Sequence, residues 1–176
     1  MADKRYQIFI SSTYADLKKE RLAVLNSLLS MNCVPVGMEL FPSSNNEQFE
    51  YIKRLIDSSD YYVVIIAGRY GSLAADGLSY TEKEFDYALA QGVPIYAFIH
   101  EHPENLATKR VDEYQKELKA FKKKAETGRL VQYWTTPSNL ATKVATSLHV
   151  AFGDTPARAG SGQANCPRIR KPSKSC

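Results

Sequence analysis

Three short stretches carry residue types able to do chemistry. Ser11-Ser12-Thr13-Tyr14 follows the apolar run Tyr6–Ile10, and Gly68-Arg69-Tyr70-Gly71 follows the longer run Tyr61–Ala67. Ser79-Tyr80-Thr81-Glu82-Lys83-Glu84 opens a helical pattern. In the first stretch, one of Ser11, Ser12 or Thr13 is expected to cap the following helix. The same hydroxyls beside free helix N–H groups would suit phosphate or another anion. In the second, two glycines permit close backbone approach, Arg69 can pair with phosphate and Tyr70 can stack on a base. The alternative is a tight turn whose tyrosine merely packs. In the third, Ser79-x-x-Glu82 matches a capping box, which gives Glu82 a structural task. Glu84 lies one helical turn from Tyr80 and shares its face, at the flank of the Phe85, Ala88, Leu89 stripe. A carboxylate there would be partly desolvated and would face the site. With Thr81 as the cap instead, Glu84 would close the box and take the structural role.

Other chemistries find little support. The chain has neither a GxxxxGK[ST] loop nor a GxGxxG fingerprint, so a nucleotide would be held by another scheme. His100, His102 and His149 form no metal-ligand spacing with Asp, Glu or Cys, so no metal is expected; His100-x-His102 is expected to face solvent. Arg21 falls on the apolar side of its helix, beside Leu17, Val24 and Leu28, and needs a partner there, Glu39 or Asp60. Lys122-Lys123-Lys124 reads as the solvated end of a helix, where cations suit the dipole.

The elements that must position these residues follow from periodicity. Strands are expected at Tyr6–Ile10, Cys33–Met38, Tyr61–Ala67, Pro94–Ile99 and Leu130–Trp134, with Pro35 suiting an edge. Helices are expected near Tyr14–Met31, Asn46–Ser58, Tyr80–Gln91 (closed by Gly92), Asn105–Thr127 and Asn139–Phe152. The continuous run YYVVIIA has the pattern of a central parallel strand covered on both faces. Alternation of this kind predicts an α/β fold, a doubly wound five-stranded parallel sheet of order 2-1-3-4-5 in three α/β/α layers. Ligands in such sheets bind at the carboxyl ends of the strands where the order reverses, which is where all three stretches fall.

Charge and length narrow the class. The 176 residues hold 23 Lys+Arg and 19 Asp+Glu, a net +4. Five of the basic residues (Arg158, Arg168, Arg170, Lys171, Lys174) lie in the last twenty positions with no acidic residue among them; removing those five leaves 18 basic against 19 acidic. The folded body is therefore near neutral, and no specific nucleic acid is expected as partner. Residues 1–153 read as one domain, and 154–176, rich in Gly, Pro, Ser and basic residues, as a flexible tail or linker. Three scattered cysteines without a CxxC pair favour a reduced, cytoplasmic setting, with Cys33 packed as a small hydrophobe. No apolar run is long enough for a signal peptide or a membrane span, so no membrane is expected.

The strings IFISSTYADLKKERLAVLNSLLSM, VPVGMELFP, YYVVIIAGRYGSL and LSYTEKEFDYALAQGVPIYAFI together resemble a domain family that commonly stands at the N-terminus of multidomain proteins, often ahead of NTPase or repeat modules. That family is similar in turn to TIR domains and nucleoside 2-deoxyribosyltransferases, which share a flavodoxin-like sheet. TIR enzymes that cleave NAD⁺ carry an aromatic-x-x-x-Glu helix motif with a catalytic Glu; Tyr80…Glu84 fits, with Tyr in place of Trp. The deoxyribosyltransferases carry Glu-x-x-x-Ala followed by Gly-x-Pro; Glu84…Ala88 and Gly92-Val93-Pro94 fit. Both comparisons imply Glu84 as the catalytic residue. They imply NAD⁺ or a related nucleotide as substrate, with no further cofactor. Ser11, Ser12, Thr13, Tyr14, Gly68, Arg69, Tyr70, Gly71 and Tyr80 would bind that substrate. The resemblance further implies self-association, a partner effector protein and a place in antiphage signalling. A non-catalytic interaction or nucleotide-sensing module, and a deoxyribosyltransferase-like enzyme, are the alternatives it leaves.

Overall fold

The computed structural model describes residues 5–37, 46–129 and 131–154. Five strands form one parallel sheet: β1 (Gln7–Ser12), β2 (Val34–Gly37), β3 (Tyr61–Ile66), β4 (Ile95–His100) and β5 (Val131–Trp134). Their order is β2-β1-β3-β4-β5, as expected from the sequence. The helices are α1 (Lys18–Ser30), α2 (Asn46–Asp57), α3 (Tyr80–Ala90), α4 (Gln115–Glu126) and α5 (Pro137–Asp154). The sheet separates two cores. Ile8, Ile10, Tyr61, Val63 and Ile65 point to the α1/α5 side, where Leu17, Val24, Leu28, Leu140, Val144 and Leu148 cover them. Phe9, Tyr62, Val64 and Ile66 point to the other side, against Ile52, Ile56, Phe85, Ala88, Leu118 and Phe121. The period of two along a strand makes this division. It also explains why YYVVII is apolar throughout: every residue of β3 is buried.

Three expectations about the elements are corrected. β1 runs two residues further than its apolar pattern, through Ser11 and Ser12, and α1 begins only at Lys18. The residue preceding α1 is Leu17, which makes no side-chain cap, so none of Ser11, Ser12 and Thr13 caps that helix. Thr13 instead donates its hydroxyl to Asp16 Oδ1 at 2.6 Å, tying a turn between strand and helix. The long helix expected from Asn105 starts ten residues later. Residues 101–114 form a strap with two 3-10 turns, Pro103–Asn105 and Thr108–Arg110, that crosses the carboxyl end of β3. Gly68 makes that crossing feasible: a Cβ there would lie 2.6 Å from the Arg110 carbonyl oxygen. His100 is buried at the end of β4, edge-on to Trp134, and its Nδ1 accepts the His102 N–H at 3.1 Å. Its expected exposure fails because β4 extends one residue beyond Ile99. Cys33 packs in the α1/α5 core. Glu39 and the basic tail from 155 onward lie outside the described residues.

Candidate active site at the ends of strands one and three

The end of β1 sends its two serines to opposite faces of the sheet. Ser11 shares the side of Phe9 and is fully buried; its hydroxyl donates to Glu84 Oε2 at 2.5 Å. Glu84 is 2% exposed on α3, brought there because Tyr80, Glu84 and Tyr87 lie along one helix face. Ser12 turns toward α1, where Arg21 donates to its hydroxyl at 2.7 Å and to the Ile10 carbonyl at 3.4 Å. Arg21 is buried, as its place on the apolar stripe required. Of its two expected partners, Glu39 is outside the described residues. Asp60 sits at the opposite end of the sheet, accepting the Gln7 N–H at 2.9 Å.

α3 is placed by its cap. Ser79 Oγ accepts the Glu82 N–H at 3.2 Å, which confirms Ser79 over Thr81 as the cap. The reciprocal half of the capping box is replaced. Glu82 is buried and its carboxylate accepts the Tyr70 hydroxyl at 2.5 Å and the Lys124 ammonium, which also reaches Asp86 at 3.0 Å. Lys124 is thus a bridge between α4 and α3 and not a solvated helix end. Its neighbours Glu82 and Asp86 raise its pKa against the lowering effect of burial.

The Gly68–Gly71 loop takes a different shape from the expected phosphate cradle. Tyr70 is 2% exposed, so its ring packs near Phe121 and Tyr114 and offers no stacking face. Burial and then the Glu82 carboxylate push its hydroxyl pKa up. The Tyr70 and Gly71 N–H groups both donate to Asp112 Oδ2, at 2.8 and 3.0 Å. An internal carboxylate from the strap therefore occupies the anion position. Gly71, at φ +99°, sits against Thr13, where a Cβ would fall 2.9 Å from the Thr13 methyl. Arg69 is half-buried and, with Arg110, acts electrostatically on Asp16. Burial outweighs both cations and holds the Asp16 carboxyl above its ordinary value. Arg69 also lines a groove of about 360 Å³ with Ser72, Leu73, Asp112, Glu113 and Tyr114. Tyr14 is exposed beneath the Lys18 ammonium, and Tyr80 is half-buried at the start of α3.

The structure thus joins Ser11 to Glu84 directly. It gathers Thr13, Asp16, Arg69, Gly71 and Arg110 as a second group over the strand ends, with Asp112 engaging the Gly68–Gly71 loop. Besides Asp16 and Arg110, two residues beside the site were not foreseen. Asp112 was hidden inside the helix expected from Asn105. Tyr62 was read as core; its shared face with Ser11, two strands paired in register at Ser11 and Val64, was the available signal. Among the described residues no group of three or more His, Cys, Asp or Glu could hold a metal ion, and no helix is long and apolar enough to cross a membrane.

No curated protein matches the sequence. Among solved structures, the chain is similar to the Clostridium botulinum CMP N-glycosidase BcmB, with TM-score 0.50 and 12% identity over 80% of this chain and 98% of that one. It also aligns with diflavin flavoprotein A3 from Nostoc sp., with TM-score 0.44 and 12% identity over 85% of this chain and 96% of that one. At such identities the first likeness speaks to the fold, a flavodoxin-like or nucleoside-glycosidase-like three-layer sheet. Residues 7–149 match the family described as Domain of unknown function (DUF4062), and the chain belongs to that family.

Proposed function

We propose that this domain is an N-glycosidase that breaks the bond between a base and the anomeric carbon of a nucleotide ribose, with Glu84 as its catalytic carboxylate. The observation that carries the reading is the buried Ser11–Glu84 pair at the carboxyl end of β1. Ligands of open α/β sheets bind at this end, beside the point where strand order reverses. The transition state of such a cleavage is oxocarbenium-like, and a carboxylate beside it stabilises the positive charge or attacks it covalently. Ser11 orients Glu84 and, by rotating its hydroxyl, can exchange the carboxylate for a ribose oxygen. Nicotinamide leaves as a neutral molecule without a proton donor, so a single glutamate suffices for NAD⁺. That makes NAD⁺ the first substrate to try. BcmB, whose fold this chain resembles, is described as acting on CMP, which makes CMP the second. Ser12, Thr13 and Arg69 would hold ribose or phosphate, and Tyr14 and Tyr80 would border the base.

A second reading, a nucleotide-sensing module without turnover, is favoured by one observation: Glu84 is only 2% exposed and already accepts a hydrogen bond. The two readings separate on incubating concentrated protein with NAD⁺ or CMP and following nicotinamide or cytosine by chromatography. Release by the wild type, lost in Glu84→Gln and kept in the exposed-site control Glu104→Ala, is the expected result. Binding of either nucleotide without release at any protein concentration would replace the enzyme with the sensor.

A further inference from the structure

Tyr62 is completely buried in β3, yet its hydroxyl has no hydrogen-bond partner of acceptable geometry. A tyrosine oxygen in that position is costly, and phenylalanine would fill the same space against Phe9 and Phe85 without it. Tyr62 pairs with Phe9 and so shares the sheet face of Ser11 two residues on, which sets the Ser11–Glu84 pair described above as the groups bearing on the hydroxyl. Burial and the Glu84 charge hold the Tyr62 hydroxyl well above its ordinary pKa, so it stays protonated and keeps a proton to donate at working pH.

We propose that Tyr62 is a positioning residue for Glu84, its hydroxyl completing a relay from Tyr62 through Ser11 to the carboxylate. Ser11 has one proton, and Glu84 receives it. The serine oxygen keeps its lone pairs for an incoming donor, and Tyr62, on the same sheet face of the neighbouring strand, needs only a small side-chain shift to bring its hydroxyl to them. Each hydroxyl in such a chain polarises the next, so the terminal carboxylate is held more firmly in its ionised form. The other charges acting on Tyr62 are Asp86 from α3 and Arg21 from α1, while α2 presents Lys53 to the rings of Phe49 and Tyr87. The inference shares Glu84 with the proposed function but not its substrate.

The test is a carbon-13 NMR titration of the Glu84 carboxyl in the full chain as wild type, Tyr62→Phe, Ser11→Ala and the double variant, with thermal melting of each. Loss of the relay raises Glu84's proton affinity about tenfold, a shift of roughly one pH unit, in Tyr62→Phe. Ser11→Ala shifts it at least as far, and the double variant adds little to Ser11→Ala, because the two hydroxyls act in series. An unchanged Glu84 titration in Tyr62→Phe, with a higher melting temperature, would overturn the proposal and leave Tyr62 as an unsatisfied packing residue. Where nicotinamide or cytosine release is observed, Tyr62→Phe lowers kcat with KM held and moves the acid limb of the pH profile upward. Release that survives Glu84→Gln would remove the catalytic reading, while the titration still decides the relay.

Discussion

One carboxylate ties the strap to the loop after β3, and its removal has a graded consequence. Asp112 Oδ2 accepts both the Tyr70 and Gly71 N–H groups, at 2.8 and 3.0 Å, while Oδ1 accepts the Tyr114 N–H at 3.2 Å. Hydrogen bonds to a charged acceptor are worth ~1.5–3 kcal/mol when sheltered; solvent at this half-exposed side chain reduces each of the two shorter ones to about 1 kcal/mol. Asp112→Ala therefore costs about 2 kcal/mol, which for a domain of this size lowers Tm by roughly 4–8 °C. Asp112→Asn keeps a carbonyl oxygen for the shared position and loses the charge and the longer bonds from Tyr114 and Gln115 to the other oxygen, about 1 kcal/mol. Calorimetry gives the two Tm values, and amide hydrogen exchange locates the effect. The Tyr70 and Gly71 amides accelerate more than those of Val63–Ile65, because the strap lifts before the sheet opens. Uniform acceleration across β3, or equal losses in the Ala and Asn variants, would refute the anchoring argument.

Three further outcomes follow from the same network. Gly68→Ala drives a methyl to 2.6 Å from the Arg110 carbonyl oxygen and should cost ~1–3 kcal/mol by urea denaturation, with the strap amides losing protection first. A fully stable alanine variant would show that the crossing is looser than described. Lys124→Met leaves Glu82 buried with only the Tyr70 hydroxyl; with Lys124 39% exposed, solvent screening reduces the expected loss to about 1–2 kcal/mol, read by the same assay. No loss would return Lys124 to the solvated helix end. His100 is held below its ordinary pKa by burial first and by Arg110 second, so it stays neutral where the unfolded chain has begun to protonate. Its contribution is complete above about pH 6.5 and declines as the pH falls. Asp16, raised by burial, acts in the opposite sense and nearer to the carboxylate range, favouring the fold on the acid side and losing that contribution as pH rises through its folded pKa. Melting temperatures at pH 7 and pH ~5.5 should therefore fall less in His100→Gln than in the wild type, and an identical decline in both would exclude His100 as the cause.

The sheet was legible because its signals are local. A continuous apolar run marked β3, Pro35 marked an edge, and Gly92 at φ +66° closed α3. Glu84 was legible for the same reason: helix spacing from Tyr80 and the cap at Ser79 both act within a single turn. The strap was not. Val111 and Tyr114 have helical spacing with Leu118 and Phe121, but Val111 and Leu106 are drawn against Gly68 and Arg110 pairs with Glu20 at 2.5 Å. These are contacts between residues far apart in the chain, and periodicity carries no record of them. Tyr70 misled in a similar way. A Gly-Arg-Tyr-Gly loop has the composition of a phosphate cradle, but whether its N–H groups are available depends on Asp112, forty-one residues away from Gly71.

The register of β1 ties the two halves of the site together. Ser11 pairs with Val64 and Ser12 with Ile65, so the two serines alternate across the sheet with the same period that divides the cores. One hydroxyl is delivered to Glu84 on α3 and the next to Arg21 on α1. A shift of one residue in β1 would exchange them, placing a serine donor on each of the wrong faces and moving Phe9 out of its core. The stacking of Phe9 on its partner Tyr62, with ring centroids 5.4 Å apart, opposes that shift. The geometry at Glu84 is therefore set by packing below it in the strand and not by the polar residues themselves. Substitutions at Ser11 or Glu84 should alter chemistry while leaving the register intact, and substitutions at Phe9 or Ile10 should disturb both.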